Sequence, residues 1–299
     1  MTEPRQAEVF LRQAAYCETR SPLYASLCRR LADDRRVASL ASDLRWDFPL
    51  RLLGGLNYLV LGGEASWADV DRALETHAEF LARFVAEQPV QTNEVGRAWA
   101  LLPGLLALGE QRVELLELGA AAGLLLALDR YGYLYDTGTW GSGRPVLSGD
   151  GGPPAPLLGR ELEVTRRRGI DIHPVDATTA EGARLLEAFV WPDQGERLAR
   201  LREAIAVVRA DPPELITGDY VELAPELVSE HTVVFSTVTT VYLDDERYAA
   251  LVERLRGVRW LSLEGPRRDR DYDGMRLELN GRVLAEHVDY HGASMRWVE

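Results

Sequence analysis

The segment Leu116-Glu117-Leu118-Gly119-Ala120-Ala121-Ala122-Gly123-Leu124 holds the residues best placed to do chemistry. Glu117 lies near the end of an apolar run, and Gly119, Ala121 and Gly123 follow at alternate positions. Glycine and alanine keep bulky side chains out of a turn, so a ligand can approach its backbone. A helix starting just beyond would present unpaired N–H groups to that ligand. The alternative is a tight turn whose small residues serve packing alone. A second cluster, Gln91-Thr92-Asn93-Glu94-Val95-Gly96-Arg97, precedes another apolar run. It reads as a capping segment with Thr92 or Asn93 at the N-cap. It also reads as a substrate wall, in which Asn93, Glu94 and Arg97 project from a helical domain over the turn. Arg97 would then pair a carboxylate or phosphate.

Several chemistries are excluded. The 299 residues include 34 Arg and no Lys, which we read as compositional bias. Without Lys there is no P-loop cation, no Schiff-base nucleophile and no kinase strand lysine. No Gly-x-Ser-x-Gly elbow occurs, so serine hydrolase chemistry is not expected. Of the five His only His287 and His291 stand four apart, flanking Asp289 near the chain end, and no metal site is expected there. Arg166-Arg167-Arg168 and Arg267-Arg268 read as solvated turns before they read as anion sites. Asp129 and Arg130 read first as partners in structural ion pairs, with Arg130 also a candidate for substrate contact.

The elements that must position these groups fall into two regions. Residues 1–112 read as an all-helical domain. Ser21-Pro22 opens a helix carrying Leu23, Leu27 and Leu31, and 69–86 reads as one amphipathic helix with Ser66 as its cap. From 113 strands and helices alternate. Val113–Leu118 is a strand followed by a helix from Leu124. Strands are expected to end at 169–172, and over Glu214–Thr217, Thr232–Val238 and Val258–Leu263. Helices are expected over Glu196–Arg209 and Asp244–Arg256. Asn280-Gly281 between two apolar runs marks a hairpin. Residues 131–160, rich in Gly and Pro, read as an insertion, with Tyr131, Tyr133 and Tyr135 sharing one face. The implied fold is α/β: a doubly wound, mostly parallel Rossmann-like sheet with a C-terminal antiparallel hairpin, plus the helical domain.

The turn fits the dinucleotide fingerprint poorly, because Ala121 and Leu124 stand where glycines are needed. Against the S-adenosylmethionine pattern E/D-x-G-x-G-x-G only Ala121 departs. Residues 113–299 resemble class I S-adenosylmethionine-dependent methyltransferases. The resemblance implies cofactor binding by Glu117, Gly119, Ala121 and Gly123. It further implies that Asp171, in Gly169-Ile170-Asp171-Ile172-His173-Pro174, holds the ribose hydroxyls. Asp219, in Thr217-Gly218-Asp219, would hold the adenine amine, and Ser236-Thr237 would fall on the substrate side. Over nearly the whole chain the sequence is similar to a bacterial family of unknown function with a methyltransferase-like fold. Ser21-Pro22-Leu23-Tyr24, 90–97, Asp129-Arg130-Tyr131-Gly132-Tyr133, 169–176 and Trp191-Pro192-Asp193-Gln194 carry that similarity.

Residues 113–299 hold 21 Arg against 32 acidic residues, a net charge of -11 within a chain total of -13. Such a domain is a poor partner for nucleic acid. Cys17 and Cys28 suit buried thiols in a reducing cytoplasm. No signal peptide or membrane span is expected. The expected function is methyl transfer from S-adenosylmethionine to a small molecule, with Asn93, Glu94, Arg97, Arg130 and Thr237 toward the substrate. A general base, where one is needed, would be Glu94, Asp219, His173 or Tyr242. The alternative is a catalytically silent Rossmann-like module that binds a ligand or a partner. The oligomeric state is left open.

Overall fold

The computed structural model describes residues 3–40, 45–91, 93–267, 269 and 272–298. The chain begins with α1 (Glu3–Cys17), α2 (Pro22–Leu31), α3 (Arg35–Ala38), α4 (Phe48–Leu61), α5 (Val70–Thr76), α6 (Ala78–Glu87) and α7 (Arg97–Ala107). Then come β1 (Arg112–Leu118), β2 (Gly132–Tyr135), β3 (Gly138–Trp140), β4 (Val146–Ser148), β5 (Asp150–Gly151), α8 (Ala155–Leu158) and β6 (Glu163–Asp171). The rest comprises α9 (Ala180–Ala188), α10 (Gly195–Ala210), β7 (Glu214–Thr217), α11 (Tyr220–Leu227), β8 (Thr232–Thr237), α12 (Asp245–Arg254), β9 (Arg259–Glu264), β10 (Met275–Leu279), β11 (Arg282–Val288) and β12 (Ser294–Trp297). No described helix is long and apolar enough to cross a membrane.

Two compact units divide the chain: Met1–Thr92 with Thr179–Ala199, and Asn93–Thr178 with Arg200–Glu299. The expected boundary at 112 therefore differs from the observed one. Asn93–Arg112 falls in the sheet unit, and a return segment completes the helical unit. In the helical unit Ser21 caps α2 by accepting the Tyr24 N–H (3.2 Å), and its own hydroxyl donates to Asp193 (2.9 Å). Asn57 Nδ2 donates to the carbonyls of Ala188 (3.1 Å) and Val190 (3.0 Å). Arg184 donates to Tyr58 O (2.7 Å) and lies over the Tyr58 ring. The core gathers Phe10, Leu31, Leu52, Leu53, Leu56 and Leu81, all fully or almost fully buried. The single helix expected over 69–86 is two, α5 and α6, broken at His77. Asp69 caps α5, while Ser66 caps a short turn of 3-10 helix before it.

Among the described residues the large sheet of this unit has nine strands in the order β5-β12-β11-β10-β9-β8-β1-β6-β7. The five from β9 to β7 are parallel, and β10, β11 and β12 follow as an antiparallel meander. Parallel strands are covered on both faces, which is why β8 is buried along its whole length. Leu116, Leu118, Ile170, Val221, Val234 and Leu251 form one core cluster. On α7, a Cβ at Gly104 would lie 2.6 Å from Leu261 Cδ1, so glycine lets that helix approach β9. The Asn280-Gly281 hairpin forms as expected, with φ of 50° and 80° at the two turn residues. Residues 132–151 make a three-stranded sheet, β3-β2-β4, and add β5 to the edge of the large sheet. The three tyrosines are buried there, with Tyr135 stacked on Trp99 at 5.0 Å.

Candidate functional site

From β1 the chain goes to β6 and β7 on one side, then returns to β8 and β9 on the other. The crevice beyond the carboxyl end of β1 is therefore the topological switch point, where open α/β sheets bind ligands. The turn filling it is held from three sides. Gly119 and Ala120 donate their N–H groups to Ile170 O (2.9 and 3.1 Å). Asp171 Oδ2 accepts the Ala121 N–H (2.8 Å), while its Oδ1 accepts that of His173 (2.8 Å). Asn93 Oδ1 accepts the Ala122 N–H (3.3 Å). Three turn residues adopt left-handed backbone: Gly119 (φ 70°), Ala121 (φ 48°) and Gly123 (φ 67°). Such angles are cheap for glycine and costly for alanine, and the Asp171 bond holds Ala121 in place.

The glycines also serve packing. A Cβ at Gly119 would lie 2.2 Å from Thr239 Oγ1, and one at Gly123 2.7 Å from Pro213 Cγ. Beyond the turn, Leu124–Arg130 is a 3-10 helix, so the α-helical N-terminus expected there is not formed. Beside it lies a cleft of about 420 Å³, lined by Ala122, Pro174, Ala177, Val208, Pro213 and Leu215 among others.

Two buried carboxyls stand at the strand ends. Glu117, on β1, is 3% exposed, and its Oε2 has no hydrogen-bond partner. Burial pushes this carboxyl well above the usual glutamate range; the charge of Asp171 adds to the shift and that of Arg97 opposes it. Glu264 closes β9. Its Oε1 accepts the N–H groups of Thr239 (3.1 Å) and Thr240 (3.2 Å), and its Oε2 is also buried without a partner. Burial raises it too, against the lowering effect of those N–H groups, the Ser236 hydroxyl and Arg97. Arg97 is buried, with Nε donating to Tyr290 O (3.0 Å). Glu94 Oε1 accepts the Gly96 N–H (3.1 Å). Gly96 is needed because a Cβ there would meet His291 O at 2.1 Å. Asn93, Glu94 and Arg97 thus belong to the sheet unit and not to the helical unit; the 289–293 loop packs on Gly96 and Arg97. Thr92, the other candidate cap, lies outside the described residues, as does Arg268.

The remaining candidates scatter. Asp219 caps α11 through the Val221 N–H (3.0 Å) and its other oxygen pairs Arg247. Burial raises its carboxyl, but Arg247 and the Val221 N–H outweigh this and hold it below the ordinary aspartate value. Arg130 pairs Asp211, and Asp129 takes a two-pronged bond from Arg167 (2.8 and 2.6 Å). Thr237 ends β8 and is 8% exposed. His173 lies exposed after β6, and Tyr242 is 73% exposed beyond β8. Sequence reasoning missed Glu264 and Thr239. The one available signal for Glu264 is an acid closing an apolar strand, as Glu117 nearly does.

The donors and acceptors fit S-adenosylmethionine in part. Glu117 Oε2 and Asn93 Nδ2 are buried polar atoms without partners, and Asp171 keeps unused acceptor capacity. The space against Gly119 does not fit, because Thr239 fills it. A solved structure from Listeria monocytogenes, described as a "putative class I S-adenosylmethionine-dependent methyltransferase", aligns at 12% identity and a TM-score of 0.30 over 88% of this chain and 72% of that one. No curated protein matches the sequence. A family model matches residues 7–297, and the chain belongs to that family, the uncharacterised proteins conserved in bacteria known as DUF2332.

Proposed function

We propose that the sheet unit binds S-adenosylmethionine across the Gly119–Gly123 turn and passes its methyl group to a small molecule. The observation that carries this reading is Glu117, a buried carboxyl at the switch point with one oxygen bonded to nothing. A buried polar atom left unpaired costs about 1–3 kcal/mol, and such a group calls for an explanation. An ammonium group on a ligand would supply both the missing donor and the charge that ionises Glu117. Asn93 Nδ2 and the Arg97 guanidinium would serve a carboxylate on the same ligand. Asp171 would receive hydroxyls while still bracing the turn. When bound, the cofactor supplies an electrophilic methyl group. The protein supplies position, and a proton acceptor where the nucleophile needs one. The acidic charge of 113–299 favours a small acceptor over nucleic acid.

Calorimetric titration with S-adenosylhomocysteine tests this. The wild type should bind, and Glu117→Gln should bind at least about tenfold more weakly, the scale of a lost charged hydrogen bond. Absence of heat in the wild type would overturn the reading. A ligand-binding module without turnover is the second reading. It is favoured by the engagement of Asp219 with Arg247 and of Gly119 with Thr239. Binding without transfer of label from a methyl-labelled donor into a metabolite extract would select it.

A further inference from the structure

We infer that Thr239 governs access to the Gly119 turn and that Glu264 is the positioning residue that seats it. This rests on the reading that a ligand binds against that turn. The argument starts at Val238, the first residue past β8, whose φ is 49°. A β-branched residue in the left-handed region is strained, and such backbone persists only where its surroundings enforce it. Here they do. Glu264 Oε1 takes the N–H groups of Thr239 and Thr240. Tyr220 donates its hydroxyl to Thr239 O (3.3 Å). Arg267 donates to Thr240 O (2.8 Å) and Leu243 O (2.9 Å). The next side chains give no such hold, since Val241 is 59% and Tyr242 73% exposed.

The outcome of this bracing is one contact. The Thr239 hydroxyl stands where a Cβ of Gly119 would be, 2.2 Å from that position. Left-handed glycine opens the backbone of a turn to a ligand, yet in this chain a side chain of the protein fills the opening. Ligand entry therefore requires the 238–242 strap to swing away. That motion releases the strain at Val238 and frees Glu264 Oε1, beside an Oε2 that is already unpartnered. The apparent affinity is reduced by the fraction of molecules in which the strap is seated.

The test uses the full chain and S-adenosylhomocysteine as probe. Thr239→Ala should bind about tenfold more tightly than the wild type, as expected when a mostly closed state is opened. Glu264→Leu, which loses the seat, should tighten binding likewise while lowering the melting temperature. Glu264→Gln keeps an acceptor oxygen and should return affinity to the wild-type value. In the wild type, hydrogen exchange at the Thr239 and Thr240 amides should speed up when the probe is added. A wild type that binds while Thr239→Ala binds equally or more weakly would overturn the strap and leave the cofactor reading standing. Unchanged or slower exchange at those amides on binding would do the same, even if a variant fails to fold. No binding by the wild type or by Thr239→Ala would overturn both. Binding by Thr239→Ala alone would support the strap in its strongest form.

Discussion

At Glu117 and Glu264 burial outweighs the neighbouring positive charge, so both carboxyls hold protons above the usual glutamate range. The unfolded chain releases those protons at its ordinary value. The folded state then binds more protons than the unfolded one, and stability falls as pH rises. The contribution is full below the unfolded value near 4.5 and is lost as pH climbs through the raised folded values. One such proton gives a slope of up to about 1.4 kcal/mol per pH unit. Urea unfolding of the wild type and Glu117→Gln across pH 4 to 9 checks this: the decline should be shallower in the variant, and equal slopes would refute it. Glu117 was legible because an acid beside an apolar run and a glycine-rich turn makes a pattern. Glu264 was not, because its burial depends on the Thr239-Thr240 backbone, which folds over it from another strand. Arg130 was legible as a charge, but its partner Asp211 lies 81 residues away, beyond any local signal.

Among the elements, strands were easier to read than helices. Apolar runs bounded by turn residues locate β1, β7, β8 and β9 within a residue or two, and Asn280-Gly281 places the hairpin. Helical periodicity carried 69–86 straight across His77, because a residue that leaves helical backbone need not break the apolar stripe. The same limit hid the 3-10 character of 124–130, whose side chains are apolar in either geometry. The turn before it depends on a carboxylate from the next strand of the sheet. Asp171→Ala removes the acceptor for two N–H groups, those of Ala121 and His173. It should cost about 0.5–1.5 kcal/mol for each bond lost, because the Ala121 N–H is only partly buried and the His173 N–H is exposed to water. Asp171→Asn keeps one acceptor oxygen and should lose roughly half as much. Chemical denaturation of the two variants gives the comparison, and equal losses would mean that only one of the two bonds contributes.

On the scale of the molecule, composition and alternation indicated a helical region and an α/β region, but not that the chain crosses between them more than once. The return at 179–199 carries no compositional mark; its role shows in Asn57 reaching Ala188 and Val190, Ser21 reaching Asp193, and Arg184 reaching Tyr58. A fragment of residues 1–92 should accordingly show little cooperative melting by circular dichroism. Fusing 179–199 to it through a flexible linker should restore a sigmoidal transition. A cooperative 1–92 fragment would show the return segment to be dispensable. The arrangement also sets a timetable on the ribosome. The first 92 residues emerge early, yet the strand of chain that completes their core is translated only after 86 intervening residues. At bacterial and eukaryotic rates of about 5–20 residues per second, the helical unit waits roughly 4–17 s with its apolar faces uncovered. The nascent chain is open to chaperone capture throughout that interval.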